Sequence, residues 1–443
     1  MTAAELARRY RGGDLSPVEV ARQALELAER EQPRLNAFIT LLSDAATEAA
    51  RQSEARHRRG QPLGPLDGVP VAVKDLVHMA GVRTTAASKI LEDYVATEDA
   101  DIARRLKAGG AVIIGKTNLH EFAFGPSGDV SHFGPARNPH NTEHIPGGSS
   151  SGSGAAVAAG ICPVALGTDT GGSIRIPASL CGIVGLKPTY GRVSTRGVIP
   201  LSWSLDHIGP MTSTVEDAGL ALSVFSDFSM PSLELGRQAH VGVCRELLFG
   251  SLEAEVRALV EAALPAVGDV REIDIEHMSA VSAQSVILGT DAATYHMPWL
   301  KERPEDYDPT IRARLETGLA SRGVDYVQAT RLRGLFVEAM YEALRDIDVL
   351  AAPTTPIAAP PFGEVRTALD DGSTQNTAAL LLRNTSPFNL CGFPAISVPC
   401  GRTAAGLPVG LQLVAKPWDE ATLLQVAAAF ERNGSAATWP FFG

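Results

Sequence analysis

The chain has 443 residues, 45% of them hydrophobic and 20% charged, and a formal net charge of -11. That apolar content can fill a sizeable core and excludes a disordered polymer, while the acidic balance argues against nucleic acid as a direct partner, because phosphate binding needs clustered lysine and arginine. The five cysteines, Cys162, Cys181, Cys244, Cys391 and Cys400, are odd in number and lack metal-ligand spacing, which fits small buried thiols in a reducing compartment and predicts neither a metal nor a cofactor. The first residues lack the apolar core of a secretory signal. No run of about 18 apolar residues exists to cross a membrane, so a cytoplasmic location is expected.

In chain order, residues 2–11 and 16–31 read as helices. The second opens on Ser16-Pro17-Val18-Glu19, a capping box with proline at the first helical position. A turn-rich stretch then introduces VAVKDLV at 71–77, a short buried strand that carries Lys74. An unpaired ammonium in such a run is costly; the alternative is a buried stem with its amine in water. Helix 99–109 and strand 111–118 follow in a β-α-β rhythm, which predicts a parallel or mixed sheet. Residues 126–146 are polar and turn-rich. Residues 153–160 form a helix of tiny residues, and 161–169 a buried strand that delivers Thr170-Gly171-Gly172-Ser173 at its end, where α/β sheets bind ligands. Further on, helices at 215–226 and 252–266, strands at 239–244 and 269–275, and a helical stretch at 311–347 read as outer scaffold and pocket rim. Strands at 348–353, 395–401 and 409–415 and a helix at 419–432 close the chain. No internal repeat or long linker interrupts it, which favours one compact domain.

The serine- and glycine-rich stretch 147–187 invites several readings. It lacks the lysine of a phosphate-binding P-loop and the third glycine of a dinucleotide fingerprint. Gly148-Ser149-Ser150-Ser151-Gly152 matches the GxSxG nucleophile elbow, but no buried strand precedes it and no later histidine stands out. What remains is a set of hydroxyls with no evident histidine, and one lysine in an apolar strand. A lysine whose pKa burial depresses can act as a base, a weakly nucleophilic serine needs such a base, and the amides of residues 169–173 can form a donor nest for an oxyanion. Structural turns are the other reading of the same loops.

These residues resemble the amidase signature family. The match runs through GGSS-x-GS-x-AAVAAG, GTDTGGSIR-x-PA and CGIVGLKPTYGRVS, with DGVPVAVKD, GKTN, SLDHIGPM, DVLAAPTTP and GFPAISVPCG around them, and so covers nearly the whole chain. It implies an α/β fold: a single large domain with a central mixed sheet of many strands covered by helices on both faces. Within 1–443 it implies N-terminal helices at 1–60, the signature core at 61–212, a variable pocket region at 213–347 and C-terminal strands and helix at 348–443. It also implies a catalytic triad of Ser173 as nucleophile, Ser149 as bridging serine after a cis peptide bond, and Lys74 as base. Thr170, Gly171 and Gly172 would hold the oxyanion, and Ser150, Asp169 and Arg175 would support them. Ser151 departs from the family pattern, which often has glycine there.

The implied activity is that of a stand-alone amidase that hydrolyses a small-molecule carboxylic amide to carboxylate plus ammonia or amine through an acyl-enzyme, as a monomer or homodimer. One alternative is the amidase subunit of a glutamine-dependent aminoacyl-tRNA amidotransferase. Such members usually carry a Tyr-Asp-Gly segment that residues 290–309 lack. The other is the catalytic subunit of a small-urea-derivative hydrolase. Phe122, Phe124, His132, Phe133, Trp203 and Phe388 are the aromatic candidates for the pocket wall.

Overall fold

The structure is a computed structural model and describes residues 1–433. The last ten residues of the expected C-terminal segment, 434–443, lie outside the described residues. The strands are β1 (Phe38–Leu41), β2 (Pro70–Lys74), β3 (Val112–Thr117), β4 (Val164–Asp169), β5 (Val184–Lys187), β6 (His207–Thr212), β7 (His240–Val243), β8 (Asp269–Glu272), β9 (Val349–Pro353), β10 (Arg366–Ala368), β11 (Thr374–Asn376), β12 (Ala395–Arg402) and β13 (Pro408–Val414). Eleven of them form one sheet in the order β1-β3-β2-β4-β6-β5-β12-β13-β9-β7-β8, and β10 pairs with β11 separately. β3, β2 and β4 run parallel, as do β9, β7 and β8, while every other neighbouring pair is antiparallel. The sheet is therefore mixed, as expected.

Side chains alternate across a strand, and here both sets are apolar. Val71 and Val73 of β2 join Val164 and Leu166 of β4 in one core, which takes in Leu6, Ile102, Leu106, Val215 and Leu222 from helices Ala3–Gly12, Asp101–Ala108 and Val215–Phe225. Ala72 and Ala165 point the other way, toward Ala24, Ala28, Ala46 and Ala155 of helices Pro17–Leu35, Ser43–Arg58 and Ser151–Ala158. Helices cover both faces, and central strands such as β2, β4 and β13 are buried between them.

Several boundaries move. β2 ends at Lys74 rather than running to 77. The tiny-residue helix spans Ser151–Ala158 rather than 153–160, so it starts immediately after the Ser149-Ser150 pair. The stretch expected as helical from 311 to 347 is two helices, Pro309–Leu319 and Gly323–Ala343. Ser16 accepts from the Val18 and Glu19 amides, but Glu19 turns to Arg22 and Gln23 instead of closing the capping box. Helices Ser43–Arg58 and Ala283–Glu302 and strands β1 and β6 are additions to the sequence reading.

Candidate active site

Because β2 and β4 are parallel neighbours, Lys74 at the end of one and Thr168 and Asp169 at the end of the other emerge on the same edge of the sheet. The whole Lys74 side chain is buried, which rules out an amine reaching water. Its Nζ lies 2.8 Å from Ser149 Oγ, 2.8 Å from Thr168 Oγ1 and 3.0 Å from Ser150 Oγ. No carboxylate among the described residues comes within ion-pair distance of it. Burial pushes its pKa down to about 7, against the pull of Asp169 and Asp206.

Ser149 follows a cis peptide bond from Gly148. The Gly148 amide donates to the Pro126 carbonyl at 2.6 Å, and the Ser150 amide to the Ser173 carbonyl at 3.2 Å, so the two glycine-serine loops are joined backbone to backbone. Ser150 Oγ donates to the Thr168 carbonyl at 3.1 Å and accepts from the Thr168 amide at 3.2 Å and from Lys74. One donor and two acceptor sites are all a hydroxyl has, so Ser150, the middle serine of the elbow pattern, is fully engaged. Ser151 fits because it faces glycine: a Cβ on Gly128 would sit 2.5 Å from that of Ser151. The following Gly152 is required, since a Cβ there would lie 2.2 Å from the Ala37 carbonyl oxygen.

The turn after β4 is held by a buried ion pair. Arg175 reaches Asp169 with Nη2 at 2.9 Å and Nε at 3.0 Å, and donates further to the Thr385 carbonyl, Gln412 Oε1 and Asn389 Oδ1. Burial works to raise the Asp169 pKa, but the Arg175 guanidinium beside it holds the carboxyl well below the usual range. The carbonyls of the turn are drawn away in sequence: Asp169 to Asn389 Nδ2, Thr170 to Gln284 Nε2, and Gly171 to the Thr385 and Ser386 hydroxyls. A peptide's N–H points opposite to its carbonyl, and none of the amides from Thr170 to Ser173 finds an acceptor among the described residues. This leaves a row of free donors beside Ser173, as an oxyanion site needs. Gly172 sits at φ +140°, and a Cβ there would lie 2.2 Å from Thr385 Oγ1. Thr170 is further tied by its hydroxyl to Asp206 at 2.6 Å. Burial raises the Asp206 pKa to about 6, against the hydrogen bonds from Thr170, Leu201 and Ser202.

Ser173, 5% exposed, opens onto a cavity of about 910 Å³ that Thr170, Gly171, Gln284, Arg314, Leu382 and Arg383 also line. A second cavity of about 460 Å³ adjoins Thr168, Thr170 and Asp206. Of the aromatic candidates, Phe124 lines the first and Trp203 the second. Phe122 and Phe388 are core residues, His132 bonds to Glu92, and Phe133 lies under Arg83. Gln284 and Arg314 come from the stretch 213–347, read from the sequence as outer scaffold and pocket rim with no residue singled out. Thr168, Asp206, Thr385, Ser386, Asn389 and Gln412 are the site residues that sequence reasoning missed. Among the described residues no histidine ring bonds to Ser149, Ser150 or Ser173, and no cluster of three metal-ligating side chains occurs.

A family profile described as Amidase matches residues 19–424, so the chain belongs to the amidase family, hydrolases that act on amide C–N bonds. A glutamyl-tRNA(Gln) amidotransferase subunit from Symbiobacterium thermophilum is 40% identical over 98% of this chain and 96% of its own length. A crystal structure of an amidase is 38% identical with a TM-score of 0.92, covering 98% of this chain and 99% of that one. An inhibitor-bound vestigial protein complex, described as revealing the origins of an s-triazine catabolic enzyme, is 34% identical with a TM-score of 0.94, covering 99% and 100%.

Proposed function

We propose that the protein is a cytoplasmic, stand-alone amidase, monomeric or homodimeric, that converts a carboxylic amide to carboxylate and ammonia or amine through an acyl-enzyme on Ser173. The observation that carries this reading is Lys74, buried among three hydroxyl oxygens with no carboxylate among the described residues to hold its proton.

The three oxygens match the three hydrogens of an ammonium. Loss of one proton frees a lone pair toward Ser149. As Ser173 Oγ attacks the amide carbonyl carbon, its proton passes to Ser149 Oγ and the Ser149 proton to Lys74 Nζ. The carbonyl π electrons move to oxygen, which the amides from Thr170 to Ser173 receive. Collapse of this tetrahedral species breaks the C–N bond, and the Lys74 proton returns through Ser149 to the leaving nitrogen. Water then attacks the ester by the same relay, breaks the C–O bond and restores Ser173. Asp169 and Arg175 hold the turn that carries Ser173 and touch no reacting atom, while Ser150 accepts from Lys74 Nζ and so supports the base directly.

The test is ammonia release from simple aliphatic and aromatic amides by the purified chain alone, beside glutamine. Turnover without a partner is the expected result. The relative named as an amidotransferase subunit favours a second reading, in which glutamine is the substrate and other subunits are needed. Activity on glutamine only after a partner is added would replace the first reading with the second.

A further inference from the structure

The large cavity is unusual for a chain with a net charge of -11: its charged lining residues are two arginines, Arg314 and Arg383, and no aspartate or glutamate. Neither arginine has a carboxylate within ion-pair distance among the described residues. Arg314 donates to the Phe124 carbonyl, and Arg383 to the Ser251 carbonyl at 2.6 Å and to Asn384 Oδ1 at 3.4 Å. The acids that act on them from farther away are engaged elsewhere. For Arg314 these are Asp129 and Asp308, the first bonded to Ser127 and the second to Thr310. For Arg383 they are Asp370 and Asp371, the first paired with Arg257 at 2.5 Å and the second bonded to Ser251 and Ser373. A largely desolvated guanidinium without a carboxylate is a costly arrangement, and an anion on the ligand would relieve it with charge-assisted hydrogen bonds.

Both arginines are also fixed to the reacting loops. Phe124, which Arg314 holds, lies two residues before Pro126, whose carbonyl accepts from Gly148. Arg383 lies two residues before Thr385, whose hydroxyl binds the Gly171 carbonyl at 2.6 Å. Ser173 lines this cavity, whereas Ser149 and Lys74, which serve the leaving nitrogen, do not. The acyl part stays bonded to Ser173, and of the two cavities beside the turn Ser173 lines only this one, so the acyl part falls to it.

We infer that the substrate is an amide whose acyl part carries a carboxylate and no ammonium group, and that Arg314 and Arg383 receive that carboxylate. This rests on the proposed hydrolysis at Ser173. It sets free glutamine apart, because its α-ammonium group would meet two like charges and no acid.

The test is calorimetric titration of Ser173→Ala protein, which binds without turnover, with amides paired by charge: succinamate against butyramide, glutaramate against valeramide, terephthalamate against its methyl counterpart, and glutamine. At least one carboxylated member binds about tenfold or more tightly than its neutral partner, tighter than glutamine, and more weakly as salt rises. Arg314→Gln and Arg383→Gln each remove most of that preference while circular dichroism stays native. Equal or tighter binding of the neutral members, no binding of any carboxylated one, or an unchanged preference in both arginine variants overturns the inference. Wild-type turnover separates the two ideas. Carboxylated amides that bind but are never hydrolysed contradict the chemistry and leave the subsite standing, and neutral amides hydrolysed as efficiently as charged ones do the reverse.

Discussion

β2 and β3 lie side by side and each buries a lysine, Val73 standing opposite Lys116 and Lys74 opposite Thr117. The surroundings of the two amines differ in kind. Lys116 pairs with Asp75 at 2.6 Å and donates to Thr84 Oγ1 at 3.0 Å. Lys74 has hydroxyls alone. Burial lowers the pKa of both, and only Lys116 has an adjacent carboxylate to offset it. Neighbouring strands of one sheet thus hold one lysine paired with a carboxylate and one surrounded by hydroxyls alone. The difference lies in one partner, not in depth of burial.

Substitutions break this comparison from opposite ends. The largest effect falls on the nucleophile: Ser173→Ala lowers kcat/KM by about 10⁵-fold or more, read by ammonia release, with no acyl adduct by mass spectrometry. Lys74→Ala costs roughly 10³- to 10⁴-fold as general-base catalysis is lost. Near wild-type turnover in that variant refutes the base. Lys116→Met reverses the pattern. It strands Asp75 without its cation and lowers stability by about 3–5 kcal/mol, measured by denaturant unfolding, while folded molecules keep most of their turnover. A further effect is on the pH dependence of stability. Lys74 titrates at about 7 in the folded protein against 10.5 in an unperturbed lysine, so between those values the unfolded chain binds more protons and stability rises with pH. Below about 7 both states are protonated and the cost of burying the ammonium is fully present. In Lys74→Met part of that rise disappears.

The two lysines also show what a sequence can reveal. VAVKD marks Lys74 because a charge interrupts an apolar strand, and the family motif attaches Ser149 and Ser173 to it. The same motif carries Asp169 and Arg175, whose contact spans a few residues. Asn389, Thr385 and Gln412 lie more than 200 positions from the turn they brace, and no local pattern announces them. Helix Ala283–Glu302 hides because Gln284, Asp291 and His296 are among its buried residues, which breaks the apolar periodicity by which helices are read. β6 hides because Pro210 stands in its middle, opposite Leu166 of β4, where proline normally argues against a strand. Arg314 and Arg383 stand in no motif of the sequence, and only the fold brings them to one cavity.

The most direct test of the central claim, that Lys74 enters the reaction neutral, is the pH dependence of kcat/KM for the best amide substrate. A neutral Lys74 gives a rise of one order per pH unit that levels off near pH 7, as a single base loses its proton, and no such inflection in the residual activity of Lys74→Ala. A wild-type profile that is flat from about pH 5 to pH 9, or an inflection that survives in Lys74→Ala, would contradict it.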